Sequence, residues 1–395
     1  MSVTTENSTA QVQEATPVLS TEDARFDDIR HYKDCEVTGA IGSILDNDTV
    51  IGGISKYMFP KMPKFCEKLL RPFVKCVLKR CFSKVKTIRD VQEYVAQFMR
   101  GIIRDTTDGF SSSGFDRLDP KKGYLFISNH RDISMDPALI NMACFAHNLD
   151  TVKIAIGDNL LKLPVATDLM KLNKSFIVKR SLSSVKEKIK AFSELSEYIG
   201  IAVRTEHHNV WIAQREGRAK DGDDETEVAI IKMFYMYGKK QGLSFEEYVK
   251  SLNIVPVSIT YEYDPGDESK ARQLYESSIN GSYTKGKMED IESIVGGIKG
   301  YKGHVHISAG APLTGDYATP QELAAEIDRY VHKHYRMYPS ILTAAGKTEG
   351  LPEAEVNKFN ARINAMPAQL QPIVRSMYAK AYENHEKAMS LVAKH

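Results

Sequence analysis

From about residue 123 onward, short apolar and β-branched runs alternate with longer segments of helical periodicity. The runs predict strands at residues 123–128, 151–156, 175–178, 209–213, 254–260 and 304–308. Apolar residues spaced three and four apart predict helices at 137–147, 159–172, 183–199 and 226–239. Strands that alternate with helices in this way form βαβ units and a mostly parallel sheet with flanking helices. The predicted fold class is therefore α/β, with ligands expected beyond the carboxyl ends of the strands.

The segments on either side of this pattern differ from it. Residues 1–25 are rich in Ser, Thr and Glu and poor in aromatic side chains, which predicts a disordered tail. Residues 26–115 predict a helical N-terminal region, in which 105–113 is expected to be a loop that leads into an α/β domain at 116–315. Residues 316–395 predict a helical C-terminal region, because helical periodicity returns at 320–334 and from 353 to the end.

The net charge of +2 conceals an uneven distribution along the 395 residues. Residues 1–28 hold one base and six acids, whereas residues 56–89 hold eleven bases and one acid. Bases within the second segment recur every three or four residues and share one side of a helix: Lys61, Lys64, Lys68, Arg71, Lys75 and Lys79. This side is either a solvated helix face or a surface for anionic lipid headgroups or an acidic carrier protein. Nucleic acid is not expected, because no binding motif or base-stacking pattern accompanies the charge.

The chain contains no run of 18 apolar residues and begins without the basic and apolar regions of a secretory signal. Its five cysteines include no CxxC pair, which favours a reducing compartment over a disulfide framework. We therefore expect a cytoplasmic protein that is peripheral on the cytoplasmic face of the membrane.

Polar residues that are suited to catalysis follow the first predicted strand. His130 comes directly after it, and Asp132 and Asp136 follow. A histidine can act as a general base near neutral pH, and a carboxylate on its other ring nitrogen fixes the tautomer. The alternative is structural, because Asp136 before Pro137 is also a favourable start for a helix.

Basic residues follow the next strands at the same edge. Lys179 and Arg180 end the third predicted strand, which is typical of an anion site or of a solvent-facing pair. After the fourth strand, Gly217 permits a tight turn between Arg215 and Arg218, with Glu216 able to pair with either arginine. An ordinary charged turn is the alternative for this second group.

The fifth predicted strand contains Pro256, which is awkward in a central strand because proline donates no ladder hydrogen bond. It marks either an edge strand, a bulge or a shaped pocket wall. Together, four blocks in this order resemble the glycerol-3-phosphate and lysophosphatidate acyltransferase superfamily, whose members carry NH followed by Asp, then F-I-x-R, E-G-x-R/S/T and V-P-V. In this chain the blocks are Asn129-His130 with Asp136, Phe176 to Arg180, Glu216-Gly217-Arg218 and Val255-Pro256-Val257.

The resemblance implies an enzyme that transfers a fatty acyl group from a thioester to the hydroxyl of glycerol 3-phosphate or its 1-acyl derivative. The donor would be acyl-CoA or an acyl carrier protein, and no metal or organic cofactor is implied. His130 would be the general base. Asp136 is the preferred orienting acid, although five residues rather than four separate it from His130, and Asp132 is the alternative.

The resemblance also implies the substrate-binding residues. Lys179 and Arg180 would bind the acceptor phosphate, and strict alignment of the block leaves open which of them does so. Glu216 and Gly217 would contact the acceptor, Arg218 would help to hold the phosphate, and Arg215 flanks the same turn. Pro256 would shape the acyl-chain side.

Other functions fit the sequence less well. The His130-Arg131-Asp132 triplet imitates a kinase catalytic loop, but Pro137 stands where that loop needs Asn. No GxSxG elbow is present for a serine hydrolase. A zinc site at His304 and His306, or at His207 and His208, lacks an evident third ligand. The alternatives that remain are an acyl thioesterase and a lipid-binding protein that has lost catalysis.

Overall fold

A seven-stranded sheet organises the computed structural model, which describes residues 19–59, 64–161, 164–286 and 288–392. The strands are β1 (Gly109–Ser113), β2 (Leu125–Ser128), β3 (Lys153–Gly157), β4 (Ser175–Val178), β5 (Val210–Ala213), β6 (Ile254–Tyr261) and β7 (His304–Ala309). Their spatial order is β1-β7-β6-β2-β5-β3-β4, and every adjacent pair is parallel except β6 and β7. The predicted mostly parallel α/β sheet is thereby confirmed.

Strand β1 is a correction to the sequence analysis, which predicts a loop over 105–113. Residues 109–113 pair in parallel with β7, from Gly109 beside His304 to Ser113 beside Ser308. The polar run in β1 has no apolar alternation to mark it, and tertiary pairing with β7 decides its conformation. Side chains add to this pairing, because the hydroxyls of Ser111 and Ser113 lie 2.7 and 3.0 Å from the two ring nitrogens of His306. The sheet therefore begins before the expected domain boundary at 116.

Helices precede, flank and follow the sheet. The N-terminal helices are α1 (Asp34–Asp46), α2 (Asp48–Met58), α3 (Lys64–Cys81) and α4 (Ile88–Thr106). Those interspersed with the strands are α5 (Met135–Ala146), α6 (Pro164–Leu172), α7 (Val185–Arg204), α8 (Val228–Lys240), α9 (Phe245–Ser251), α10 (Asp267–Asn280) and α11 (Glu289–Lys299). The C-terminal helices are α12 (Pro320–Lys333), α13 (Pro339–Ala344), α14 (Glu353–Asn364) and α15 (Gln371–Val392). Short 3-10 turns occur at Ala24–Phe26, Phe82–Lys84, Phe115–Arg117 and Asp158–Leu160.

The sheet separates two hydrophobic cores. Alternate residues of a strand point to opposite faces, and in β2 Leu125 and Ile127 join one core while Phe126 joins the other. The first core includes buried side chains of α7, α8, α12 and α15, and the second includes those of α4 and α5. Both faces of the sheet are thus covered, as a parallel sheet requires.

The disordered tail predicted for residues 1–25 needs correction at its carboxyl end, whereas residues 1–18 lie outside the described part. Thr21 is buried, and its hydroxyl donates to Glu206 at 2.6 Å and accepts from Lys153 at 2.8 Å. Phe26 and Ile29 belong to the first core, and the Ile29 carbonyl accepts from the Ile177 N–H of edge strand β4 at 2.9 Å. These long-range contacts order a segment that its local composition does not.

The basic segment forms α3, with Pro72 inside the helix. Lys61 lies outside the described residues. Lys75 and Lys79 both contact Asp46 at the end of α1, at 3.0 and 3.1 Å, so part of the charge is paired within the protein. Across the described ranges, no helix has both the length and the hydropathy that crossing a membrane would demand.

Candidate active site

A cavity of about 760 Å³ opens at the carboxyl ends of β2, β3, β4 and β5. Its lining includes His130 after β2, Arg180 after β4, and the turn from Arg215 to Arg218 after β5. These residues come from distant parts of the sequence and meet because the carboxyl ends of parallel strands share one edge of a sheet. The sheet thus brings most of the sequence-predicted site residues together.

His130 is held from behind by a buried carboxylate. The Nδ1 atom of His130 lies 2.8 Å from Oδ2 of Asp136, which is fully buried. The same oxygen accepts from the backbone N–H groups of Arg131 and Asp132 at 2.6 and 2.9 Å, and Oδ1 accepts from the Tyr261 hydroxyl at 2.8 Å. An ionised carboxylate at Asp136 fixes the tautomer with the proton on Nδ1 and leaves Nε2 as the acceptor.

Asp132, the alternative orienting acid, has a different task. Its Oδ1 accepts from the backbone N–H groups of Met135 and Ser134, at 2.8 and 3.0 Å, at the start of α5. Burial, together with the negative charge of nearby Asp136, raises the pKa of Asp132. The structure therefore places Asp136 against the imidazole and uses Asp132 to begin the helix. The extra residue between His130 and Asp136 is accommodated by the turn that Asp132 caps.

Two residues that sequence reasoning missed complete the surroundings of His130. Trp211 of β5 packs edge-on to the imidazole with ring centroids 5.8 Å apart, and its indole N–H donates to Ser128 at 2.9 Å. Tyr261, at the end of β6, donates to Asp136. Tyr261 lies 125 residues from Asp136 along the chain. This contact could be predicted only from the order of the strands, which places β6 beside β2.

The two basic residues after β4 face different surroundings. Arg180 lines the cavity, and its guanidinium lies 3.6 Å from the carboxylate of Glu216, which also lines it. Lys179 is not among the cavity-lining residues of the described chain, and its ammonium contacts Asp28 at 3.3 Å and Glu194 at 3.9 Å. Of the two bases between which the sequence left the choice open, the structure places Arg180 on the cavity and Lys179 outside its described lining, because neighbouring residues at a strand exit project in opposite directions.

The turn after β5 supplies further polar wall. Gly217 has φ of +76°, a conformation that strains other residues, so the turn depends on glycine. The Arg218 guanidinium has a long contact of 3.5 Å with the Ser293 hydroxyl of α11, and Arg215 donates to the Asp223 carbonyl at 3.4 Å. Such weak contacts leave both guanidinium groups with capacity to bind an anion.

Further polar groups at the rim were not predicted. Lys220 lines the cavity and lies 5.8 Å from the ring centre of Tyr283, on the segment between α10 and α11. Burial and the like charge of Arg218 lower the pKa of Lys220. Lys285 also lines the cavity and contacts Asp290. In the sequence Lys220 precedes an acidic loop, and that composition hid its position.

Another part of the cavity wall, formed by α7 and α8, is apolar. Phe192 and Leu195 of α7 and Ile230 and Met233 of α8 contribute hydrocarbon surface. The cavity therefore offers cationic side chains to one part of a ligand and an apolar wall to another.

Pro256 does not contribute to this wall. It lies in the central strand β6 opposite Ile127, three residues before His130, and its ring lies close to Gly310. The Pro256 carbonyl accepts from the Gly310 N–H at 2.9 Å, beyond the last register pair of β6 with β7. A backbone N–H at position 256 would also point toward Gly310, at the end of the β6–β7 ladder. The proline therefore removes a hydrogen bond only at the end of this strand pair. Pro256 is not among the described residues that line the cavity, so its position does not support the expected role at the acyl-chain side.

Asp108, Glu262 and His304 form a group of possible metal ligands within the described ranges, away from the cavity lining. His304 Nδ1 lies 2.8 Å from Glu262, and Asp108 lies 3.3 Å from the Lys358 ammonium. This ammonium already supplies positive charge to Asp108. His306, which the sequence analysis considered with His304 for a zinc site and disfavoured, contacts β1 hydroxyls.

Comparison with known proteins shows what the part of the chain that carries this site is similar to. The family model described as Acyltransferase matches residues 110–259, which include His130, Asp136, Arg180 and the turn after β5. A similar solved structure is the 1-acyl-sn-glycerophosphate acyltransferase PlsC from Thermotoga maritima, at 14% sequence identity and a TM-score of 0.35, covering 75% of this chain and 91% of that chain. No curated protein matches the sequence significantly. Residues 110–259 of the chain are therefore similar to the acyltransferase family, in agreement with the resemblance carried by the four sequence blocks.

Proposed function

We propose that the protein transfers a fatty acyl group from a thioester to the hydroxyl of glycerol 3-phosphate or 1-acylglycerol 3-phosphate. The observation that carries the proposal is the position of the His130–Asp136 pair on a cavity that also holds Arg180 and Arg218. Acyl transfer to a phosphorylated alcohol needs a base for the hydroxyl and cations for the phosphate. Both requirements are met within one cavity.

In the proposed reaction, Nε2 of His130 accepts the proton of the acceptor hydroxyl as its oxygen attacks the thioester carbonyl carbon. The tetrahedral intermediate collapses, the carbon–sulfur bond breaks, and the thiolate takes the proton back from His130. Asp136 keeps the imidazole in the reactive tautomer and stabilises the imidazolium between the two proton transfers. The products are the ester and the free thiol, and this route uses neither a metal nor an organic cofactor.

The substrates are assigned by charge and polarity. Arg180, Arg218 and Lys220 would surround the acceptor phosphate. The apolar wall from α7 and α8 would receive hydrocarbon from the donor acyl chain, whether it arrives on coenzyme A or on an acyl carrier protein. The acceptor's own acyl chain, if present, would need additional apolar depth.

A thiol-release assay tests this function. The purified protein is mixed with palmitoyl-CoA or palmitoyl carrier protein and with glycerol 3-phosphate, 1-acylglycerol 3-phosphate or no acceptor. We expect acceptor-dependent release that the His130→Ala variant lacks, and the preferred acceptor identifies the substrate. Release without an acceptor would instead establish a thioesterase. No release with any pair, from a folded protein, would point to a lipid-binding protein.

We also propose that the basic N-terminal segment contacts an anionic membrane on its cytoplasmic face. Residues 70–89 hold seven bases and no acid. Arg80, Lys84 and Lys86 are exposed, and none of them has an ion-pair partner in the described chain. Co-sedimentation with phosphatidylglycerol vesicles should therefore be strong at low salt and weak at high salt. Binding to neutral phosphatidylcholine vesicles that is equally strong would contradict the proposal.

A further inference from the structure

A second cavity, of about 420 Å³, lies among the N-terminal helices and α6. Residues of α1 and α4, the 3-10 turn at Phe82–Lys84 and α6 line it, with Val85 and Val95 among them. Within the described chain, its lining shares no residue with the cavity of His130. It is therefore a separate site that the proposed reaction does not use.

The walls of this second cavity are almost entirely hydrocarbon. Asn173 is the one amide among the described lining residues, and its side-chain oxygen already accepts from Gln92 at 2.8 Å. Apolar cavities in other proteins bind hydrocarbons such as benzene, and the lining of this open cavity is similarly apolar. Its chemistry fits a flexible hydrocarbon and offers little to a polar ligand.

The mouth of the cavity is apolar and exposed, and basic residues lie beside it. Tyr94, Phe98 and Leu169, which line the cavity, are 41%, 61% and 52% exposed. Large exposed apolar groups in a cluster usually mark a contact with a membrane or partner. Lys84 and Lys86 flank Val85 of the cavity wall and are both exposed, which favours an anionic partner.

We infer that this cavity receives one acyl chain of an anionic bilayer phospholipid, while Lys84 and Lys86 hold its headgroup. The inference rests on the proposed membrane contact and gives it a specific binding site. Basic residues alone would attract any anionic surface, whereas an inserted chain would also cover the apolar cavity wall, which otherwise faces water. Membrane attachment would then combine two signals, which stable peripheral anchoring generally needs.

Photocrosslinking with the full-length protein tests the inference. Vesicles contain phosphatidylglycerol with a diazirine either near the chain end or near the headgroup, and modified residues are located by mass spectrometry after irradiation. We expect the chain-end probe to label cavity walls such as Val85 and Val95, and the headgroup-proximal probe to label the rim. Labels confined to exposed Phe98 and Leu169 with both probes would overturn chain insertion.

Matched variants separate the cavity from its rim. Val95→Phe should fill the cavity and abolish wall labelling by the chain-end probe, whereas Val95→Ala, which enlarges the cavity, should retain it. Each of Lys84→Gln and Lys86→Gln should lower labelling roughly fivefold at low salt. The same changes at Lys121 and Lys122, an exposed pair outside the cavity lining, should not.

Labelling of the cavity wall that survives Val95→Phe would refute the assignment of the acyl chain to this cavity. Labelling by a phosphatidylcholine probe that equals labelling by the phosphatidylglycerol probe would refute the assignment of the headgroup to Lys84 and Lys86. If Val95→Phe fails to fold, the contrast between the two probe positions still decides the question. Acyl transfer is measured separately on soluble substrates. If the parent protein showed no acyl transfer, the proposed reaction would be disproved, and the labelling pattern would still decide the lipid-binding inference.

Discussion

Replacement of Asp136 by Asn removes the negative charge behind His130 while preserving the shape of the side chain. Three N–H donors converge on Oδ2 of Asp136, from Arg131, Asp132 and the His130 ring. An asparagine must place its carbonyl oxygen at this position, because an NH₂ group there would face three donors. Its NH₂ group then lies beside the Tyr261 hydroxyl, which can accept. The tautomer of His130 is preserved and only the charge is lost.

The size of the effect follows from the charge that develops during reaction. When His130 accepts a proton, an imidazolium stands against the Asp136 carboxylate, whose oxygen is 2.8 Å from Nδ1. Opposite unit charges about 4 Å apart attract by about 4 kcal/mol at an effective dielectric constant near 20. A tenfold change in rate corresponds to about 1.36 kcal/mol. We therefore expect Asp136→Asn to lower kcat by roughly 100- to 1000-fold.

The assay is acceptor-dependent thiol release at saturating substrates, with circular dichroism and thermal unfolding to show that the variant is folded. Asp132→Asn is the matched control. Asp132 accepts from backbone N–H groups at the start of α5, where Asn serves about as well as Asp, and it does not touch the imidazole. Its kcat should stay within about twofold of the parent value.

Two results would refute this reasoning. Equal losses in the two variants would mean that the local negative charge, rather than the carboxylate on Nδ1, supports the reaction. A folded Asp136→Asn enzyme with undiminished kcat would mean that no imidazolium forms in the rate-limiting step, and His130 would lose its assignment as base.

Three further outcomes are expected. Arg180→Ala should raise the KM for the phosphorylated acceptor roughly 10- to 150-fold, since a charge-assisted hydrogen bond contributes about 1.5–3 kcal/mol. Thr21→Val should lower the free energy of unfolding by about 1–3 kcal/mol, measured in urea, because the Thr21 hydroxyl bridges buried Lys153 and half-buried Glu206. Burial raises the pKa of Asp328 to about 6 from an ordinary value of 3.8. The protonated Asp328 carboxyl therefore stabilises the folded state below about pH 4, and this stabilisation is lost as pH rises through 6. Asp328→Asn should be more stable than the parent at pH 7, by up to about 3 kcal/mol, and equal to it near pH 4.

Each of these outcomes has a control. Lys179→Ala removes the neighbouring base outside the cavity and should leave the acceptor KM unchanged; a KM raised as much as in Arg180→Ala would contradict the phosphate assignment. Thr348→Val changes an exposed threonine and should be neutral, so equal destabilisation by both threonine variants would argue against an ordered Thr21. For Asp328, stability curves that run parallel from pH 4 to 7 would show that its ionisation is not coupled to folding.

Much of the fold could be predicted because its signals are local. Apolar residues recur with a period of two residues in strands and 3.6 in helices, so the sequence indicates both. The predicted strands agree with the observed ones within a few residues. The positions of His130, Arg180 and the turn at Gly217 follow from the same pattern. Each comes directly after a strand, and parallel strands present their carboxyl ends to one cavity.

Strand β1 and the ordered residues before α1 could not be predicted in this way. Neither Gly109–Ser113 nor the segment around Thr21 has a periodic apolar pattern. Their order comes from β7 and from Glu206 and Lys153, which are distant in the sequence. Local composition carries no record of partners supplied by another part of the chain.

Periodicity and the residues at the strand ends are enough to predict an α/β chain with a histidine and cations at one edge of a sheet. They do not predict that Asp136 rather than Asp132 contacts His130, that Arg180 rather than Lys179 faces the cavity, or that Pro256 lies outside the described lining. The cause is the direction in which each side chain projects. Which of two neighbouring side chains reaches a site depends on the face from which it projects and on what packs against that face, and packing joins residues that are far apart in sequence.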